Sequence, residues 1–188
     1  PLANSILDYL KKLKEVDEAY VGGSVRRGKE TVRDIDILIT TKNSMKVMQH
    51  FLKMEIIGEV IAKGDTKTSI LTKDNIQVDI RVVEPVSLGA ALNYFTGSKD
   101  HNVKLREIAI KKGLKLSEYG IFKGKKMVVG KTEEDVYKIL GLRYVPPEIR
   151  EDRGEIEASL KNNLPRLLEE KDIKGDLHLH TKASDGTD

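Results

Sequence analysis

The sequence predicts an α/β (α+β) fold, a mixed sheet flanked by helices, followed by a smaller α+β unit. Leu2, Ile6, Leu7, Leu10 and Leu13 recur at helical spacing, and Asp34-Ile35-Asp36-Ile37-Leu38-Ile39 alternates with a period of two. Short β-rich runs bounded by Gly, Asp and Asn turns then intersperse with further helical segments. At 188 residues the chain holds one ordinary domain or two small ones.

In order, residues 2–14 read as an amphipathic helix packed on a sheet, and 16–21 as a strand that delivers Gly22-Gly23-Ser24. Residues 34–40 form the next strand. Ser44 is the expected cap of a helix over 45–54, whose Val47, Met48, Phe51 and Leu52 face the core. Residues 56–62 and 67–72 pair around Gly64-Asp65, and 76–83 follows a turn at Asn75. Pro85 ends the sheet. Residues 86–94 return to helical character, and a second helix runs on to a cap at Gly113. Residues 114–129 read as short strands, and Thr132 opens a helix with acids in its first turn, through Leu140. Residues 148–174 carry Leu160, Leu164, Leu167 and Leu168 among charges, broken by Pro165, and read as a linker with helical pieces.

Hydrophobic residues make up 39% and charged residues 34%, the balance of a globular but highly charged chain. Lys and Glu dominate the charge and loops are short, as in proteins of thermophiles. The absence of cysteine excludes a disulfide framework and thiolate metal sites. No apolar run approaches the ~20 residues of a membrane span, and no signal-peptide order opens the chain, so a cytoplasmic location and no membrane partner are expected. The net charge of +3 identifies no partner, but residues 99–126 hold nine Lys or Arg against three Asp or Glu. That excess fits a polyanion, and it equally fits a solvated lysine-rich face.

Asp34 and Asp36 project from one strand face, with Cα atoms roughly 6.5 to 7 Å apart. Such a pair suits a hard, oxygen-seeking cation such as Mg²⁺, although alone it is as readily a solvated strand end. Upstream, Gly22-Gly23-Ser24 before Arg26-Arg27 offers free N–H groups, a hydroxyl and guanidinium forks, the ingredients of a phosphate site. On the strand over 76–83, Gln77, Asp79 and Arg81 share a face. If that strand neighbours the first, Asp79 adds the third carboxylate that two-metal phosphoryl transfer requires.

The Gly-Ser turn joined to D-x-D resembles the signature of the nucleotidyltransferase superfamily. Residues 23–30 (GSVRRGKE), the later Tyr94-Phe95-Thr96-Gly97-Ser98 and the closing Tyr144-Val145-Pro146-Pro147-Glu148 resemble family X DNA polymerases of the polymerase beta type. The resemblance implies a nucleotidyltransferase palm over 1–85, with Asp34, Asp36 and Asp79 as catalytic ligands of two Mg²⁺ ions for which Mn²⁺ can substitute. It implies a nascent-base-pair and dNTP-binding subdomain over 86–147. Gly23, Ser24 and Arg27 would hold the triphosphate, with Arg27 contributing more than Lys29. Arg33 stands where the animal enzymes carry the glycine whose N–H helps hold that group. Tyr94, Phe95 and Gly97 map to deoxyribose selection, and Asn102 and Arg106, four apart on one helix face, to nucleotide and minor-groove contacts. Lys104 falls with the DNA-binding residues. Arg81 would hold a carboxylate out of place until the correct nucleotide closes the site, and reads equally as a structural ion pair.

Residues 175–186 resemble the opening motif of the PHP phosphoesterase domain, with His178, His180 and Asp185 as metal-ligand types. So short a stub, residues 176–188, is expected to be disordered and inert. The family's upstream lyase-like and helix-hairpin-helix regions have no counterpart, so the chain reads as a piece of a longer protein. The implied activity is transfer of dNMP from dNTP to a primer 3′-hydroxyl on primer-template or gapped DNA, in repair. The alternatives are a minimal nucleotidyltransferase with a non-DNA acceptor and a feebly active nucleic-acid-binding fragment.

Overall fold

The computed structural model describes residues 1–175. The first half runs α1 (Leu2–Lys11), β1 (Val16–Val21), a one-turn helix α2 (Gly23–Arg26), β2 (Asp34–Thr41), α3 (Ser44–Phe51), β3 (Ile57–Lys63), β4 (Lys67–Thr72) and β5 (Gln77–Val82). Its five strands form one mixed sheet in the order β1-β2-β5-β4-β3, in which only β2 and β5 are parallel. Ile6 and Leu10 of α1 and Val47 and Phe51 of α3 pack with Ile37, Ile39, Ile70 and Ile80 into one core, each fully buried. α1 stops at Lys11, three residues short of the predicted end. The cap of α3 is Asn43 rather than Ser44: its side-chain oxygen accepts from the Lys46 N–H at 3.1 Å, and Ser44 is already helical.

β2 keeps its strict alternation only through Asp36. Beyond it Leu38 is fully buried on the aspartate side as well, because α4 (Leu88–Thr96) lies across that half of the strand. Leu38 packs there with Leu88, Ala91 and Leu92. One end of the sheet face is thus roofed, and the end with the aspartates is left open.

α4, α5 (Lys99–Lys111), a small sheet of β6 (Lys115–Ser117), β7 (Gly120–Lys123) and β8 (Lys126–Val129), α6 (Glu133–Ile139) and α7 (Glu155–Leu160) build a second core. It includes Ala90, Leu105, Ile121, Val136, Leu140 and Val145. Thr132 caps α6 as predicted, accepting from the Asp135 N–H at 3.2 Å. The segment 148–160 is not a linker. Ile156 belongs to the second core and Arg150 is wholly buried, its guanidinium 2.7 Å from Glu133. Its charges read as solvated because their partners lie elsewhere in the chain. Among the described residues no helix is long and apolar enough to cross a membrane.

Gly89 sets how closely α4 meets the start of α6. A Cβ there would lie 2.1 Å from the Thr132 carbonyl carbon, while Gly89 and Ala90 donate their N–H groups to the Lys131 and Gly130 carbonyls at 3.0 and 2.9 Å. Those bonds satisfy donors that the first turn of a helix leaves free. Gly89→Ala should therefore destabilise the chain by about 1–3 kcal/mol through overpacking. Urea denaturation checks this, and an unchanged midpoint would mean the two elements part without cost.

Candidate active site

The two halves of the site meet where β1 ends. The Gly22 N–H donates to the Asp36 carbonyl at 2.8 Å, so the glycine turn is tied to the strand that carries the carboxylates. Gly23 follows with φ +60°, and a Cβ there would stand 2.6 Å from an Asp36 carboxylate oxygen. Handedness and proximity both require glycine at that position. The expected open turn is a single helical turn, α2, which carries Ser24 at the cleft.

Parallel pairing of β2 with β5 sets Asp36 directly beside Asp79, and Asp34 beside Gln77. Neighbouring strands lie about 4.8 Å apart, so the three aspartates share one face of adjacent strands. Asp34 is exposed, Asp36 half-buried and Asp79 only 8% exposed. Asp79 is flanked by the Lys67 ammonium at 3.6 Å and the Gln77 amide at 3.4 Å. Burial, and then the charges of Asp34 and Asp79, push the Asp36 carboxyl up to about 6, against the pull of Arg81 and Lys67. A divalent cation would relieve that repulsion, and the donors are all hard oxygens, so the residues fit Mg²⁺ by type. Among the described residues no group of three or more His, Asp or Glu stands close enough together to hold a metal ion, so the three aspartates share a face and a register without meeting at one point.

Gly23, Ser24, Asp34 and Asp36 line one wall of a cleft of about 490 Å³, and Asp79, beside Asp36 in the sheet, lies outside its lining. The opposite wall is the α4–α5 junction, with Tyr94, Phe95, Gly97, Asn102 and Arg106, joined by Thr96 and Lys99, to which the sequence reading gave no site role of their own. The Asn102 amide donates to the Tyr94 carbonyl at 2.7 Å, and its side-chain oxygen is buried without a partner.

Other residues stand differently from expectation. Arg27 lines the cleft, but its Nε donates to Glu151 at 2.7 Å and its Nη1 to the Thr96 carbonyl. Arg26 donates to the Thr96 hydroxyl at 2.8 Å and to Glu133 at 2.6 Å. Arg81 forms neither expected ion pair: its guanidinium lies over the Phe95 ring, 4.5 Å from the centroid, with Nε buried and unpartnered. Lys104 points away from the cleft and pairs with Asp152 at 2.6 Å and Glu157 at 2.9 Å. Positions 102 and 106 share a helix face, and 104, about half a turn round, cannot join them. Arg33 is exposed before β2, outside the cleft lining. His178, His180 and Asp185 lie outside the described residues. The residues that sequence reasoning missed are acids: Glu133 and Glu151, which bind the basic pair from 107 and 124 positions away. Two adjacent arginines beside a glycine turn signalled that partners were needed, but not which.

Residues 1–85 match the family model for the DNA polymerase beta palm, and 91–151 that for the DNA polymerase beta thumb. The chain is 38% identical over 189 residues to DNA polymerase/3'-5' exonuclease PolX of Bacillus subtilis, covering 98% of this chain and 33% of that protein. It is 29% identical over 161 residues to DNA polymerase lambda of Rattus norvegicus, covering 69% and 28%. It is 31% identical over 137 residues to Repair DNA polymerase X of African swine fever virus, covering 68% of this chain and 78% of the viral protein. The chain thus spans a third or less of the first two relatives and most of the third.

The raised Asp36 carboxyl has a measurable consequence in the metal-free chain. The folded state holds its proton up to about pH 6, whereas the ordinary value is 3.8, so stability falls as pH rises through that window and the cost is complete above it. Asp36→Asn should therefore stabilise the metal-free chain at neutral pH by on the order of 1–2 kcal/mol, allowing for solvent screening. The gain should disappear below about pH 4. Thermal melting of both proteins across pH 4–8 checks it, and a gain independent of pH would remove the repulsion argument.

Proposed function

The chain belongs to the family X DNA polymerases, and we propose that its two bodies form a catalytic core that adds dNMP from dNTP to a primer 3′-hydroxyl, filling gaps in DNA repair. One observation carries this reading: the Asp36–Asp79 register beside Gly23, across a cleft from Tyr94, Phe95 and Gly97. Phosphate binding, carboxylate chemistry and sugar contact then fall within a single cleft.

In this reading Asp34, Asp36 and Asp79 hold divalent cations, Mg²⁺ or Mn²⁺, which when bound stabilise charge on the attacking and leaving oxygens. The chain's own groups do the rest by positioning. Gly23 and Ser24 receive the triphosphate at the start of α2, with Arg27 as the cation for its outer phosphates. Tyr94, Phe95 and Gly97 lie beneath the sugar. Asn102 offers its unpartnered oxygen, and Arg106 its guanidinium, to the minor-groove edge of the new pair, where a correct pair is tested by shape. The lysines of residues 99–126 that face solvent serve DNA phosphates. Lys104 and Arg81, already engaged with protein groups, act on DNA only through the elements they brace. A cytoplasmic location accompanies this function.

Primer extension on gapped DNA with Mg²⁺ or Mn²⁺ tests the proposal. Incorporation should fall steeply between ~50 and ~200 mM salt as phosphate contacts are screened. Asp79→Ala should abolish incorporation and leave DNA binding in a mobility-shift assay nearly unchanged, since it removes a cation ligand and no phosphate contact. Wild-type incorporation by Asp79→Ala would end the assignment.

A further inference from the structure

Residues 150–155 form a strap whose best-placed side chain reaches the phosphate turn. The Arg150 carbonyl accepts from the Ser98 N–H at 3.0 Å, fixing the strap beside the α4–α5 junction. Its far end is held by Glu155, which accepts from the Asp152 and Arg153 N–H groups at 3.0 and 2.7 Å and meets the fully buried His101 ring at 2.6 Å. Between these anchors Glu151 extends to Arg27 at 2.7 Å and to Lys29 at 3.4 Å.

Three features separate this contact from an ordinary surface pair. Arg27 is only 14% exposed and Glu151 20%, so neither is a freely solvated charge. The contact sits at the edge of the 490 Å³ cleft, which Arg27 itself lines. Behind the strap lies a cavity of about 370 Å³ lined by Glu151 with Arg153, Ala158 and the acids Glu148 and Glu155, and Arg153 is the cation there that a withdrawn Glu151 would meet. Partial burial works against ionisation of Glu151, yet the hydrogen bonds and charges of Arg27 and Lys29 hold its carboxyl below the usual range.

We infer that Glu151 occupies the guanidinium face of Arg27 that an outer phosphate of the nucleotide takes up, so that binding a triphosphate displaces Glu151 from the turn. This rests on the proposed role of Arg27 and adds a residue that sets how much negative charge a ligand must bring. A polyphosphate gains the pair that Glu151 gives up. A weaker anion leaves the strap closed.

The test is a double-mutant cycle read by calorimetric titration of inorganic tripolyphosphate into the full chain, without DNA. Arg27→Ala should weaken binding about tenfold or more, as expected for losing a charge-assisted contact. Glu151→Gln should tighten it about three- to tenfold, the scale of a partly exposed ion pair. In the Arg27→Ala background the gain from Glu151→Gln should be largely lost. If Glu151→Gln binds no tighter while Arg27→Ala is weak, the strap merely braces Arg27 and the inference fails, with the phosphate turn intact. An equal gain in both backgrounds would reduce Glu151 to general charge repulsion and overturn the inference. An Arg27→Ala protein that binds as wild type would remove the phosphate reading of the turn, and the strap's role with it.

Discussion

The relation between the two bodies depends on one buried carboxylate. Glu133 lies between Arg26 of the phosphate turn at 2.6 Å and Arg150 of the strap at 2.7 Å. Burial alone would raise its pKa, but the hydrogen bonds and charges of the two guanidiniums win and hold the carboxyl below the ordinary range. Arg150 also donates from Nε to the Val145 carbonyl at 2.9 Å and lies 5.3 Å from the rings of Tyr137 and Tyr144, but its Nη2 is buried without a hydrogen-bond partner. Buried ion pairs add stability only when their remaining polar atoms are also met, so the value of this one lies in geometry. It acts together with the Leu38 cluster under α4 and the hydrogen bonds of Arg26 and Arg27 to Thr96, which also tie α2 and β2 to the α4–α5 junction.

The wall opposite the aspartates has a polar core of its own. His101 meets Glu155 through Nδ1 and the Tyr137 hydroxyl through Nε2 at 2.7 Å, and the Asn93 amide donates to the same hydroxyl at 3.1 Å. Burial holds the imidazole pKa below its usual value. In the neutral ring Nδ1–H donates to Glu155, Nε2 accepts from the Tyr137 O–H, and the Tyr137 oxygen accepts from Asn93, so each group is satisfied. Protonation would leave the Tyr137 hydrogen without an acceptor. The network joins α4, α5, α6 and the start of α7, which are the supports of Tyr94, Asn102 and the strap.

What was legible in the sequence is what local periodicity controls. Period-two alternation fixes which side of a strand Asp34, Asp36 and Asp79 occupy, and five strands and most helices follow from equally local patterns. The parallel register of Asp36 with Asp79 is the one long-range fact needed; the resemblance to a known family supplied the role of Asp79, and the register itself comes from the structure. The misplacements share a cause. Lys104 and the segment 148–160 read as free charges and Arg81 as the partner of a carboxylate, because a sequence displays charges without showing which groups they meet. The partners of Lys104 and Arg27 lie far along the chain: Glu157 is 53 positions from Lys104 and Glu151 is 124 from Arg27. Sequence also gives no sign that a small residue such as Gly89 marks a close approach of backbones rather than a flexible turn.

Asp36 and Glu133 make the division of labour plain. Both are acids removed from water, and burial pushes both toward neutrality. Glu133 is given two arginines and drops, whereas Asp36 is given two further aspartates and rises. Among the described carboxylates with displaced values, Asp36 alone moves upward. Folding could have relieved it cheaply, since Arg81 lies close enough to act on it, but that guanidinium rests on Phe95 instead. A chain that gives arginines to Glu133 and Glu151 and sets Asp36 beside two further aspartates keeps its uncompensated negative charge at the cleft.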